Sequence, residues 1–311
     1  MSVADRQRVV AAARNSIARG SKSFAAASRL FAPATRERAW LLYAWCRACD
    51  DIADGQEMGH GMTRVADAQE RLSRMRVLTD RALRGEPTGE AAFDAFGIVA
   101  AECGITARHA EDLIEGFALD AAEWRPRSED DLYRYCYHVA GIVGVMMAIV
   151  MGIAPDDHAV LDRACDLGMA FQLANIARDI GEDDGVGRCY LPLDWLAEMD
   201  IPPGEHMKLP YRTRLAVLAK RLGQRAEAFE TSAREGAAAL PFRSAWAVLA
   251  AAGIYGGIAR EVVARGAYAW DARVTTSKRA KLGWITRAFV QAARRGGWRD
   301  PPRADLWERP K

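Results

Sequence analysis

The chain has 311 residues, half of them hydrophobic, with 43 Lys and Arg against 41 Asp and Glu. A net charge of +2 supplies no field suited to bulk nucleic-acid binding, and no nucleic-acid partner is expected. The longest uncharged apolar run, Val139 to Ala154, is short for a membrane span and contains Gly141, Gly144 and Gly152; it reads as a buried core helix, and no charged-then-apolar leader opens the sequence.

Helical period runs through the whole chain, and alternating strand patterns are nearly absent. The first helices are expected at about 5–19 and 21–32, the second beginning on Ser21, Lys22, Ser23 and Phe24 and passing through the small-residue turn Ala25 to Ser28. A helix over about 36–54 carries Tyr43, Arg47, Asp50 and Asp54, which steps of three and four residues place on one face. It also carries Cys46 and Cys49, but no second Cys pair or His cluster accompanies them, so the six cysteines read as buried thiols in a reducing compartment. Further helices are expected at about 62–84, 91–102, 106–120 and 129–152, the last with Tyr135 near its start. The next, over about 156–182, carries Gln172, Asn175 and Asp179 and runs toward Asp183 on the same face. Helices over about 211–234, 240–265 (with Tyr255 between small residues) and 276–295 complete the set. The strongest breaks, Gly85 to Gly89 and Ile201 to Pro210, are loops between helices, so one all-α domain over 1–311 is expected.

Like charges at helical spacing repel, and both acidic faces sit on helices that are otherwise apolar, so cations must compensate them. Two such helices facing each other would make an oxygen-lined mouth suited to Mg²⁺, which takes carboxylate and phosphate oxygens and keeps some water. The leaving group implied is a diphosphate. The competing reading is a pair of solvated acidic faces with Arg47 and Arg178 as ordinary ion-pair partners. It suits either helix alone better than both together. A di-iron bundle would need Glu-x-x-His pairs that the five histidines do not supply. On spacing alone, Tyr135 and Tyr255 could simply pack.

Taken in order, SKSF at 21–24, YAWCRACDDIAD at 43–54, YCYHVAGIVG at 135–144, FQLANIARDIGED at 171–183 and GRCYLP at 187–192 make the chain resemble the squalene/phytoene synthase family. The resemblance implies a helical bundle of the isoprenoid synthase type with a central apolar cavity. It implies head-to-head joining of two prenyl diphosphates through a cyclopropyl diphosphate, in carotenoid biosynthesis when the substrate is geranylgeranyl diphosphate. By the family pattern Asp50, Asp54, Asn175, Asp179 and Asp183 match metal positions, with Mg²⁺ expected and Mn²⁺ as a substitute. Ser21, Lys22, Arg47 and Arg178 match positions near the diphosphates, as does Arg273 across a one-residue gap. Tyr43, Tyr135, Gln172 and Tyr255 match positions around the reacting carbons, where Arg47 also acts. Asp50-Asp51-Ile52-Ala53-Asp54 equally fits the DDxxD of head-to-tail synthases, and Asn175, Asp179 and Asp183 fit a terpene-cyclase triad; GIVG at 141–144 and SKSF favour head-to-head chemistry. Farnesyl diphosphate as substrate, giving squalene or dehydrosqualene, and an inactive binding or assembly protein are the alternatives. No Gly-x-Gly-x-x-Gly stands in the chain, and no nicotinamide is expected.

The segment 278–295 mixes Lys and Arg with Trp284, Ile285, Phe289 and Val290, a pattern for peripheral binding at the inner face of a membrane by an otherwise cytoplasmic protein or for packing on the bundle. Small side chains from Ala25 to Ser28, beside Trp40, would leave room for the longer tail of geranylgeranyl diphosphate.

Overall fold

The computed structural model describes residues 3–54, 67–303 and 305–311, without the side chains of residues 3, 4, 22, 23 and 54. Lys22 and Asp54 are thus placed by their backbones alone, and the expected helix start at 62 lies outside the described residues. The described residues form thirteen α-helices with short 3₁₀ and π turns and no strand. The chain groups into two compact units, one of residues 1–122 and 146–158 and the other of residues 123–145 and 159–311.

The first unit comprises α1 (Val3–Gly20), α2 (Lys22–Ala27), α3 (Pro33–Asp54), α4 (Ala68–Leu83), α5 (Ala91–Cys103) and α6 (Ala107–Ala121). Helix α3 packs against α1 and α5 because its Leu41, Leu42 and Trp45 form one apolar stripe, fully buried. Trp45 stacks on Phe96 of α5 with ring centroids 3.9 Å apart, and its Nε1–H donates to Thr79 Oγ1 of α4 at 3.3 Å. Each such side chain stabilises the unit by roughly 1.5–3 kcal/mol through burial. This anchors one face of α3 and leaves the Tyr43–Asp50 face for other work. All six cysteines are free, and burial pushes the Cys46 thiol up to about 12, so it stays protonated.

The second unit contains α7 (Glu129–Cys136), a π turn (Tyr137–Gly141), the start of α8 (Ile142–Val150), α9 (His158–Gly185), α10 (Leu193–Glu198), α11 (Arg212–Gly236), α12 (Phe242–Arg265) and α13 (Lys278–Arg294). The helix expected over 129–152 is therefore interrupted, because the chain passes α9 at backbone distance. A Cβ on Gly144 would lie 2.2 Å from the Ala164 carbonyl oxygen, one on Gly168 2.2 Å from that of Ala140, and one on Gly141 2.9 Å from Cys165 Sγ. Glycines at 141, 144 and 168 are what allow this approach. Helix α10 was not expected; it is a six-residue piece whose Leu193 and Asp194 amides donate to the Pro126 and Arg127 carbonyls at 3.0 and 3.1 Å.

Helix α9 also carries a fully buried Asp166, a costly position for a charge unless it is paired. Arg303 of the C-terminal segment donates to it from two nitrogens, Nε at 2.9 Å and Nη2 at 2.5 Å, and Ser232 Oγ of α11 donates to it as well. Arg309 pairs with Asp162 at 2.6 Å, and Trp307 Nε1–H donates to Asp130 at 2.8 Å. The last residues thus strap α7 and α9. Helix α13 turns part of its apolar side onto α12: Ala288 and Ala292 are buried, and Ile285 accepts from Trp246 Nε1–H at 2.8 Å, while Leu282, Phe289 and Val290 remain exposed.

Gly168→Ala should retain helical content yet unfold several degrees lower. An overpacking cost of ~1–3 kcal/mol is expected because the new methyl meets rigid backbone rather than a side chain that can turn away. Thermal denaturation followed by circular dichroism checks this; an unchanged midpoint would show that the two segments part without cost.

Candidate active site

In the first unit the candidate residues lie on α3 and at the start of α2. Arg47 pairs with Asp50 and, at 3.1 Å, with Asp51. This is the cation the acidic face requires. The Arg47 Nε is buried with no hydrogen-bond acceptor, so part of the guanidinium's donor capacity is unused. Tyr43 lies one turn earlier, its hydroxyl against Gly20, where a Cβ would come within 2.6 Å of it. Its ring lies 5.6 Å from that of Phe24. Ser21 caps α2, its Oγ accepting from the Phe24 amide at 3.2 Å. That leaves the hydroxyl proton able to donate elsewhere. At the small-residue turn Ser28 is fully buried, accepting from Trp40 Nε1–H at 3.0 Å and donating to the Ala25 carbonyl at 2.8 Å.

In the second unit the candidate residues lie on and around α9. Arg178 holds its neighbour Asp179 with two parallel bonds, at 2.7 and 2.5 Å. Arg273 reaches Asp179 at 3.1 Å and also pairs with Glu182, so the residue placed through a sequence gap stands on the acidic helix. Burial alone would lower the Arg178 pKa; the bond and charge of Asp179, with Tyr255 and Asp183 nearby, outweigh it and hold the guanidinium above its ordinary value. Tyr255 of α12 stacks on Phe171 at 4.1 Å. A Cβ at Gly256 would lie 1.8 Å from Glu230 Oε2, which explains the small residue beside that tyrosine. Gln172 and Asn175 are partly exposed on α9, as are Asp179 and Asp183.

Tyr135 is buried and forms the middle of an aromatic column, 4.8 Å from Tyr190 and 6.0 Å from Trp124. Tyr190 stands in GRCYLP, so the motif gave a hint of it; Trp124 had no periodic signal. Trp270, whose Nε1–H donates to the Ala177 carbonyl at 3.0 Å, packs with Met207 at Gly181 and supports the carboxylate-bearing half of α9. Buried His206 lies 3.5 Å from Asp184, and burial lowers its pKa, keeping the ring neutral at pH 7. Neither residue was marked by a motif.

The candidate metal donors are carboxylate and amide oxygens, the chemistry of a hard divalent cation. Among the described residues no three His, Cys, Asp or Glu side chains gather as a metal site; guanidiniums hold Asp50 and Asp179, and the Asp54 side chain lies outside the description.

The sequence pattern of the squalene/phytoene synthase family matches residues 17–282. The phytoene synthase of Pseudescherichia vulneris is 47% identical over 301 residues, 96% of this chain and 97% of that protein. The 15-cis-phytoene synthase of Enterobacter agglomerans is 46% identical over 294 residues, 94% of this chain and 99% of that one. Among solved structures, a dehydrosqualene synthase in complex with ligand superposes with a TM-score of 0.81 at 25% identity, over 91% of this chain and 96% of its own. The chain belongs to the squalene/phytoene synthase family and is an enzyme of the prenyltransferase type with an all-α isoprenoid synthase fold.

Asp179→Asn should fold with wild-type helical content, since the residue lies on a partly exposed face, and should lose at least ~10²-fold in turnover, the scale of one strong transition-state contact. Circular dichroism with a product-formation assay checks this; near-normal turnover would remove the acidic face of α9 from the chemistry.

Proposed function

We propose that the protein is a phytoene synthase that joins two geranylgeranyl diphosphates head to head, with both units acting as one catalytic domain. The observation that carries this is an acidic face held by Arg on each of two helices, in a chain 43–47% identical to four bacterial phytoene synthases over nearly its whole length. Fold likeness alone would not distinguish geranylgeranyl from farnesyl diphosphate, because the structural relatives include squalene and dehydrosqualene synthases.

In this reading the C1–O bond of one substrate breaks and its diphosphate departs with the electron pair. The allylic cation is attacked by the second substrate's double bond, and loss of a proton closes the cyclopropane. The second diphosphate then leaves, the skeleton rearranges to the 1-1′ product, and a final proton is lost without any hydride entering. Arg47, Arg178 and Arg273 would bind and orient the departing diphosphates, for which Arg is chemically suited. Tyr255 and the Trp124–Tyr135–Tyr190 column offer π faces to a passing cation, and Tyr hydroxyls can accept or orient a proton. An apolar lining would be needed to exclude water that otherwise traps the cation. Mg²⁺ held by Asp50, Asp54, Asn175, Asp179 and Asp183 would supply neutralisation of the leaving group's charge.

Purified protein with geranylgeranyl diphosphate and Mg²⁺ should yield phytoene in the absence of any reductant. Chelation should abolish the reaction and added Mg²⁺ restore it. Liquid chromatography of the hydrocarbons, with farnesyl diphosphate run in parallel, checks this. A dominant product that forms only with reduced nicotinamide, or clear preference for farnesyl diphosphate, would turn the assignment to squalene-type synthesis.

A further inference from the structure

Helix α11 carries a buried acid that the candidate site leaves unused. Glu230 is 5% exposed, and a carboxylate so deeply buried is tolerable only when its oxygens are paired. Its Oε1 accepts from Arg234, one turn on in the same helix, at 2.6 and 2.9 Å, and its Oε2 accepts from Arg260 of α12 at 3.1 Å. Oε2 also occupies the place a Cβ at Gly256 would take, so the carboxylate lies directly against the α12 backbone. Trp284 of α13 does the same one turn earlier, its ring filling the space beside Gly253. The guanidinium carbons of Arg234 and Arg260 lie 5.7 and 5.6 Å from the centre of that ring.

These contacts fall on the stretch of α12 least able to hold itself. Gly253, Gly256 and Gly257 stand within five residues, and glycine is the weakest helix former after proline. Tyr255 stands among them. Successive residues of a helix point about 100° apart, so while Gly256 is turned to α11, Tyr255 is turned to α9. There it stacks on Phe171 at 4.1 Å and lies close enough to Arg178 to act on its charge. Arg234 braces Glu230 within α11, whereas Arg260 carries the bond from Glu230 to α12. A hydrogen bond is directional, so this one fixes the rotation of α12 in a way that packing against bare backbone does not.

We propose that Glu230 is a positioning residue: through Arg260 and its contact with Gly256 it holds the glycine-rich turn of α12, and with it the ring of Tyr255 against Phe171. Its consequence for turnover rests on the reading of Tyr255 as a residue facing the reacting carbons. In the full-length protein labelled with 3-fluorotyrosine, without substrate, the Tyr255 ¹⁹F resonance is identified by its loss in Tyr255→Phe. Arg260→Gln removes a side chain that is 42% exposed and leaves Glu230 paired with Arg234, so this variant should fold. It should shift or broaden the Tyr255 resonance and leave that of Tyr43, identified in the same way, in place. Glu230→Gln should do the same, and the double variant should do no more than the stronger single one, because both changes remove one tie. With geranylgeranyl diphosphate as substrate, kcat should fall at least ~10-fold while KM stays within about twofold, the mark of a misplaced group acting in the transition state. A moved resonance with unchanged kcat would support the tie and count against the reading of Tyr255 in the chemistry. A Tyr255 resonance unmoved in Arg260→Gln, even with a lower thermal midpoint, would make the cluster a structural brace only and overturn the proposal.

Discussion

Carboxylates in a row on an apolar helix are tolerable only while cations face them, and the candidate site is organised around that constraint. Arg47 answers Asp50 and Asp51 from one turn away on α3. Arg178 and Arg273 answer Asp179 on α9, one from the same helix and one from the chain beyond α12. An enzyme that accepts a diphosphate with divalent metal needs the same two charges in the same place: acids for the metal and guanidiniums for the phosphate. The two sets pair with each other on each helix, and they are the groups that the proposed chemistry would use.

Helix α9 bears most of the remaining cost. One face holds the partly exposed acids; another is approached by backbone at Gly168; a third carries the fully buried Asp166. Asp166 is satisfied by Ser232 and by Arg303 from the C-terminal segment, and Arg309 adds a second tie to α9 at Asp162. Burial pushes the Asp166 pKa up, and Arg303 offsets part of that effect, so loss of Arg303 would leave an expensive buried acid on the helix that positions the site. Preorganising the acidic face therefore depends on residues more than 100 positions away in sequence.

Helices were legible because the signal for them is local. Leu41, Leu42 and Trp45 recur at helical spacing and form the buried stripe of α3. The acids of both motifs were legible for the same reason, since steps of three and four residues place them together without any tertiary information. What was not legible depended on partners distant in the chain. The π turn at Tyr137–Gly141 goes with close passage by α9, and its glycines showed a need for space without showing what filled it. The Arg303–Asp166 tie, the Trp124–Tyr135–Tyr190 column and the contact of Trp270 with Ala177 join residues whose types would suit an ordinary core or surface. Ser28 is a case between: its small size read as room for a tail, whereas the structure gives it a buried hydroxyl that fixes Trp40. Helix α10 escaped because six residues are too few to establish a period.

The proposed function requires the acids of α3 and those of α9 each to bind divalent metal together with diphosphate. Mn²⁺ electron paramagnetic resonance measures this without turnover. With inorganic diphosphate present, wild-type protein should remove free Mn²⁺ from solution, and Asp50→Asn on α3 and Asp179→Asn on α9 should each weaken that binding by ~10-fold or more, the loss expected when a charged ligand becomes neutral. Mn²⁺ binding that does not depend on diphosphate, or that survives unchanged in either variant, would contradict the proposed metal–diphosphate role of both acids.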